Sequence, residues 1–462
     1  MPPEASDPSS FAASGESYYT ADHRVGTVVG ATSLTATQVS AGTMVGTIGI
    51  HYTVGVGFAL VWLGIWAGWL ASMLFVAPQL RDAGGFTVAN FLASRFGTGE
   101  GHVRGLAAAF IAAIYLVYTT AQYLAGGIVL EAVFGLEQSL GVVLLAALAL
   151  SYTVVGGMLF SVYSDVVQVA VLVGGLLLAT TVGVAQVGGL AALSADATAV
   201  DPQLVSPTGA PALTVGLALS FGFGIAIAPF ELSRVYAMRD PETVRRAIPL
   251  SIAIQSVVAV CIALLGLIAR LEVPDIANPD LAVVQLSVEL FGPAVGGLLL
   301  LAVLAGILST IDSVLLVSSA AISQDLFRRA LPAAGVLDTQ PGDETVHTVD
   351  RLATIAAAVI PIGLTAVAGS LGGLIQLIVA LYTSLLAGTL FVPVLAGLYW
   401  SAATKAGVLT GMCSGLGAVL LWQLGRQHGL LDGGVGVVDP VIPGLVASLC
   451  GVALVSVARP PE

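Results

Sequence analysis

The sequence predicts an all-α integral membrane protein with about twelve transmembrane helices, and three observations predict it. Of 462 residues, 57% are hydrophobic and only 9% charged, whereas a soluble domain carries about 25% charged residues. Mean hydropathy is +0.99. Apolar runs of the ~20 residues that a bilayer requires recur along the whole chain. Fifty-five glycines suit the same class, because small residues let helices in lipid approach closely.

The runs place spans near residues 26–50, 53–80, 105–132, 137–158, 161–187, 212–236, 246–270, 294–326, 352–369, 372–399, 404–424 and 442–458. They are numbered 1 to 12 in that order. An even number puts both termini on one side, and cations choose the side. With the N-terminus inside, Arg24, Arg81, Arg95, Arg104, Arg234, Arg239, Arg245, Arg246, Arg328, Arg329, Arg351, Lys405 and Arg459 are cytoplasmic, and only Arg270 and Arg426 face out. Both termini are therefore expected in the cytoplasm, of a plasma-membrane protein. Residues 1–25 read as a polar, disordered cytoplasmic tail without the apolar core of a signal peptide. Segment 280–292 has helical apolar spacing and is expected to lie along the outer interface.

Two spans are interrupted. Span 1, "GATSLTATQVSAGTMVGTIG" (30–49), is crowded with Gly, Ser and Thr, and span 6, "LALSFGFGIAIAPFEL" (217–232), is broken by Gly222, Gly224 and Pro229. Broken segments at equivalent places in two five-helix halves predict an inverted repeat around a central site. The expected organisation is 26–187 as the first repeat (spans 1–5), 212–399 as the second (spans 6–10), and 404–458 as two added spans. Unwound backbone at that depth needs protein or a water-filled cavity around it.

The net charge of −12, with Lys405 as the single lysine, reads as adaptation to high salt and a halophilic prokaryote, since excess carboxylates keep a surface hydrated. Cys261, Cys413 and Cys450 lie in apolar runs and are expected to be buried. The five histidines are too scattered for a metal cluster. No catalytic constellation and no GxxxxGK[ST] nucleotide loop occurs, which argues against an enzyme. Nothing points to nucleic acid or to an obligatory protein partner; the expected partners are lipid, an ion and a small solute.

Span 8 carries the sharpest local signal. "LSTIDSVLLVSS" (308–319) sets Ser309, Thr310 and Ser313 within an arc of about 100°, with Asp312 about 60° to the other side of Ser309. An unpaired hydroxyl in an apolar medium costs roughly 1–3 kcal/mol and a buried carboxylate far more. Bonds back to the carbonyl one turn earlier account for Ser318 and Ser319. The Ser309–Ser313 cluster fits either such polar packing or a site for a hard cation, which takes oxygen ligands.

At this point the sequence resembles the sodium:solute symporter family. The resemblance rests on "LSTIDSVLLVSSAAISQDLF" (308–327), "TATQVSAGTMVG" (35–46), "GGFTVANFLASRFG" (84–97), "TAQYLAGGIVLEAVFG" (120–135), "YTVVGGMLFSVYSDVVQ" (152–168) and "PFELSRVYAMRDPETVRRA" (229–247). They run in family order over nearly the whole chain. The resemblance implies the leucine-transporter-type fold. It also implies a sodium ion held by the carbonyls of Ala36 and Val39 on span 1, with the carbonyl of Gly306 and the hydroxyls of Ser309 and Thr310 on span 8. Asp165 matches a family acid on the ion's path to the cytoplasm, though an acid at a helix start can also be a plain cap. Asp312 has no family role and is left as a tuning group. Arg234 fits either a family arginine or a positive-inside anchor.

The implied solute site lies between the breaks of spans 1 and 6, flanked by spans 3 and 10. Candidates are Gln38, Ser40, Gly42, Thr43, Gln122, Phe221, Phe223, Tyr382 and Thr383, with Gln122 touching either solute or only another helix. The resemblance implies sodium-coupled symport of an amino acid, carboxylate, pantothenate or sugar by alternating access. A ligand sensor of the same fold and a proton-coupled symporter are the alternatives. The family's proline carriers have an acid where Gln38 stands and aromatics where Gly42 and Ile225 stand, which disfavours proline. Members also usually carry a further helix before the first core span.

Overall fold

The computed structural model describes residues 15–82, 87–97, 101–370, 375–431 and 437–459. Residues 1–14 of the expected tail, 84–86 of the second motif and the first residues of expected span 10 (372–374) lie outside the described residues. Among the described residues, nine helices are long and apolar enough to cross a bilayer: Val56–Arg81, His102–Phe134, Gly157–Gln186, Pro241–Glu272, Pro293–Ala333, Asp343–Ala368, Ile375–Tyr399, Lys405–Gln427 and Val441–Ala458. These are spans 2, 3, 5 and 7 to 12. Span 6 is the bent pair Pro211–Ile225 and Pro229–Ala237, whose halves meet at 45°.

The two remaining spans are shorter or interrupted. Span 1 runs as Thr27–Gln38, then wide turns over Gly42–Thr47, then Ile48–Val54. Span 4 is the short apolar helix starting at Gln138, joined to span 5 across a kink at Gly157, whose φ of 56° is left-handed. Glycine takes that conformation without steric cost.

Local chemistry starts the helices where they start. Pro211, Pro229, Pro241 and Pro293 each open a helix, where the missing N–H costs nothing and φ is already helical. The side chains of Thr87, Asp240 and Thr404 accept from the N–H groups of Asn90, Thr243 and Gly407, capping donors the first turn leaves orphaned. Large apolar side chains such as Leu63, Phe75, Val167, Val260, Leu421 and Val457 are exposed, as the lipid-facing side of a bundle requires.

Several connections are more ordered than expected. Residues 15–23 form a helix and a tight turn, and Tyr19, Ala21 and Val25 are buried. Tyr19 Oη bonds to Asp350 and lies 3.2 Å from Ser319 Oγ. This stretch is a packed strap under the bundle, because its aromatics give it an apolar face that a tail would leave in water. Helix Ala282–Glu289 buries Ala282, Val283 and Leu286 completely; it caps the bundle with its apolar face turned inward. The 188–211 connection contains helix Leu190–Val200 and buries Leu193, Ala197 and Leu204. Of the cysteines, only Cys261 is buried, while Cys413 and Cys450 are exposed, being thiols on outward helix faces.

Candidate functional site

Span 1 stops being helical at Gln38, so its last carbonyls lose their partners one turn on. Thr35's carbonyl accepts from Val39 N–H at 2.9 Å, and Gln38's from Thr43 Oγ1 at 3.2 Å. The carbonyl of Ala36 turns toward span 8, where Ser309 Oγ donates to it at 3.1 Å and Thr310 Oγ1 lies at 3.5 Å. Both hydroxyls also reach the Gly306 carbonyl at 3.0 Å. Gly306 is what allows the approach: a Cβ there would stand 2.9 Å from the carbonyl oxygen of Val39. Ala36, Val39, Gly306, Ser309 and Thr310 therefore converge where span 1 is broken. Five uncharged oxygens and no nitrogen make a donor set suited to a hard cation such as sodium.

One turn along span 8, Ser313 Oγ donates to the Ser309 carbonyl at 2.8 Å and accepts from Arg234. Arg234 is wholly buried; its Nη2 lies 2.6 Å from Ser161 Oγ and 3.6 Å from Asp165 Oδ2. It is thus an interior partner and not a surface anchor. Asp165 is equally buried and accepts from Ser33 Oγ of span 1, which makes it an interior acid and not an exposed cap. Asp312 accepts from Thr153 Oγ1 at 2.7 Å. Two acids thus face one arginine, and Asp165 Oδ1 and Asp312 Oδ2 have no hydrogen-bond partner among the described residues.

On the other side of the break lies a small cavity of about 20 Å³, room for little more than a water. Gln38, Ser40, Thr43, Phe221 and Tyr382 line it. So do Trp62, Tyr118 and Gln376, which sequence reasoning missed. Gly42 marks a close approach: a Cβ there would fall 2.7 Å from Gln376 Oε1, so Gln376 takes the room an aromatic would need.

Three candidates lie elsewhere. Gln122 Oε1 accepts from the Ala41 N–H at 2.9 Å, capping the point where span 1 resumes; it is not among the lining residues. Phe223 packs edge-on against Phe391, with ring centroids 4.9 Å apart, in a groove also lined by Leu445 and Leu449 of span 12. Thr383 bonds Ser220 Oγ at 2.7 Å and ties span 10 to span 6. In each case the side chain leaves its helix on a face that residue type alone does not reveal.

Two interrupted spans thus meet around a polar centre. Residues 18–415 match the model of the sodium:solute symporter family. The chain belongs to that family. This sodium:solute symporter family member is 28% identical over 452 residues to the high-affinity proline transporter PutP of Bacillus subtilis (strain 168), covering 95% of this chain and 92% of that protein. It is 25% identical over 459 residues to the sodium/proline symporter of Staphylococcus aureus, covering 95% and 86%. Among solved structures it is similar to the substrate-bound outward-open state of a Na+-coupled sialic acid symporter, with a TM-score of 0.80 at 18% identity over 98% of this chain and 94% of that one. The nucleobase-cation-symport-1 family transporter Mhp1 aligns with a TM-score of 0.59 at 15% identity, covering 95% and 94%. The family member therefore has the leucine-transporter-type fold, and it is a multi-pass membrane protein.

Proposed function

We propose that the protein carries a small organic solute into the cell, driven by sodium entering with it, by alternating access. The observation that carries this reading is the convergence of the Ala36, Val39 and Gly306 carbonyls with the Ser309 and Thr310 hydroxyls at a helix break. Sodium is a transported ion here, and its binding joins span 1 to span 8 and so completes the solute cavity beside the same break. Such coupling between ligands is typically 1–3 kcal/mol and reciprocal. Each positive charge entering down a 100 mV potential supplies about 2.3 kcal/mol. Asp312, within one turn of Ser309 and Thr310 on span 8, and Asp165 on span 5 beside Arg234 would draw the ion onward to a cytoplasmic exit.

The solute is an amino acid, carboxylate, pantothenate or sugar. The curated relatives are named for proline, but Gln38, and Gln376 filling the room at Gly42, favour a differently shaped and more polar solute. The orientation with both termini inside a plasma membrane follows from the cation distribution, and the acidic composition fits a halophilic host. Purified protein in vesicles, given an inward sodium gradient and a panel of labelled solutes, tests the reading. Accumulation of at least one solute that collapses when the gradient is removed is expected; accumulation indifferent to sodium sinks it.

A further inference from the structure

Glu231 takes no part in either site described above. It stands in the first turn of the second half of span 6, Pro229–Ala237, and is only 2% exposed. Neither of its carboxylate oxygens has a hydrogen-bond partner among the described residues. Arg234, one turn on, is turned to Asp165, Ser161 and Ser313.

The ionisable groups close to Glu231 are Tyr115 and Tyr118 of span 3 and Tyr382 of span 10. Their rings form a packed layer with Phe230. Tyr118 stacks on Tyr382 with centroids 3.9 Å apart, and Phe230 meets Tyr115 and Tyr118 at 5.8 Å. Tyr118 and Tyr382 also line the solute cavity, so the same rings border both the cavity and the acid. The other charged groups packed near this half-helix are engaged elsewhere. Asp165 and Asp312 belong to the Arg234 network. Arg81 donates to the carbonyls of Val235 and Arg239, His23 contacts the Tyr236 carbonyl, and Tyr19 is held by Asp350.

An ionised carboxylate left bare in such a place would cost many kcal/mol. The cavity that takes in Pro229 and Ser233 of this half-helix does not take in Glu231, which is buried; a proton is the cation that needs no room beside it. We infer that Glu231 is a proton-binding site: it holds a proton when the tyrosine layer is closed and gives it up when the layer parts and water arrives. The step is plain protonation, with a proton from solvent joining one carboxylate oxygen and returning to solvent. Transport would then be linked to proton binding as well as to sodium. This linkage rests on the sodium reading above: by joining span 1 to span 8 and completing the cavity that Tyr118 and Tyr382 line, sodium would hold the layer closed, and its release would let the layer part.

Infrared spectroscopy on the purified full-length protein at neutral pH tests it. A protonated-carboxyl band is expected that shifts when glutamate alone carries a 13C carboxyl, which separates it from the buried aspartates without any variant. Glu231→Gln should remove that band, and saturating sodium should strengthen it in the wild type. A missing band, or one unmoved by labelled glutamate, overturns the site. A sodium-insensitive band overturns the linkage when tryptophan fluorescence of the same sample reports sodium binding; no fluorescence response to sodium instead counts against the sodium reading and leaves the labelled band to decide the site.

Discussion

Thr310 Oγ1 sits 3.0 Å from one carbonyl on its own helix and 3.5 Å from another across the bundle, so it can hand oxygen lone pairs to an ion without leaving its rotamer. Thr310→Ala removes one such oxygen. A lost polar contact of this kind costs about 1–3 kcal/mol, which raises the half-saturating sodium concentration for uptake roughly 5- to 150-fold; an unchanged value would exclude this ligand. Arg234→Met makes a different prediction. It leaves Asp165 and Asp312 buried without their cation, at a cost of about 3–5 kcal/mol, seen as a lower unfolding temperature. Adding Asp165→Asn to that variant should recover much of the loss. The residues legible in the sequence were those whose polarity an apolar run could not absorb: Ser309, Thr310 and Asp165. Ser33, Gln376 and Glu231 were not legible, because whether a polar side chain near a helix break faces protein or water depends on the rotation of its helix.

At the scale of elements, close approach sets the geometry. A Cβ on Gly415 of span 11 would stand 1.8 Å from the Gly388 carbonyl oxygen of span 10, so those backbones touch. Gly415→Ala must push them apart, and overpacking of this kind costs about 1–3 kcal/mol. Gly417→Ala, where an added Cβ meets nothing within 4 Å, is the control and should unfold at the wild-type temperature. The breaks in spans 1 and 6 were readable from Gly, Thr and Pro placed inside apolar runs. The wide turns over Gly42–Thr47, Ala321–Ala330 and Ala387–Phe391 were not, since an extra residue per turn is imposed by neighbouring helices and has no local composition.

Over the whole molecule, the two ends of the bundle are closed by different chemistry. At the end away from the arginines, Asp280 lies in the connection between spans 7 and 8, 3% exposed, and accepts from the Ile375 N–H at 3.0 Å. Burial pushes its carboxyl up to about 6, with the Ile375 bond opposing. The packed protein therefore holds this proton more tightly than the unfolded chain does. Its contribution is greatest below the ordinary carboxyl range of about 4 and is lost as pH rises through about 6. Unfolding temperature should fall across that window, and Asp280→Asn should flatten the fall; an unchanged slope would show that Asp280 is not the group responsible.

At the opposite end, the entry of span 1 and the exit of span 6 are pinned by main chain, with His23 against the Tyr236 carbonyl beside them. Val25 N–H donates to the Ala237 carbonyl and Arg239 N–H to the Val25 carbonyl, each at 3.1 Å. Side-chain changes leave the donors and acceptors of these two bonds in place. The two half-helices they join must swing as one lever arm, so opening toward that face is a single stroke shared by the ion's helix and the solute's helix.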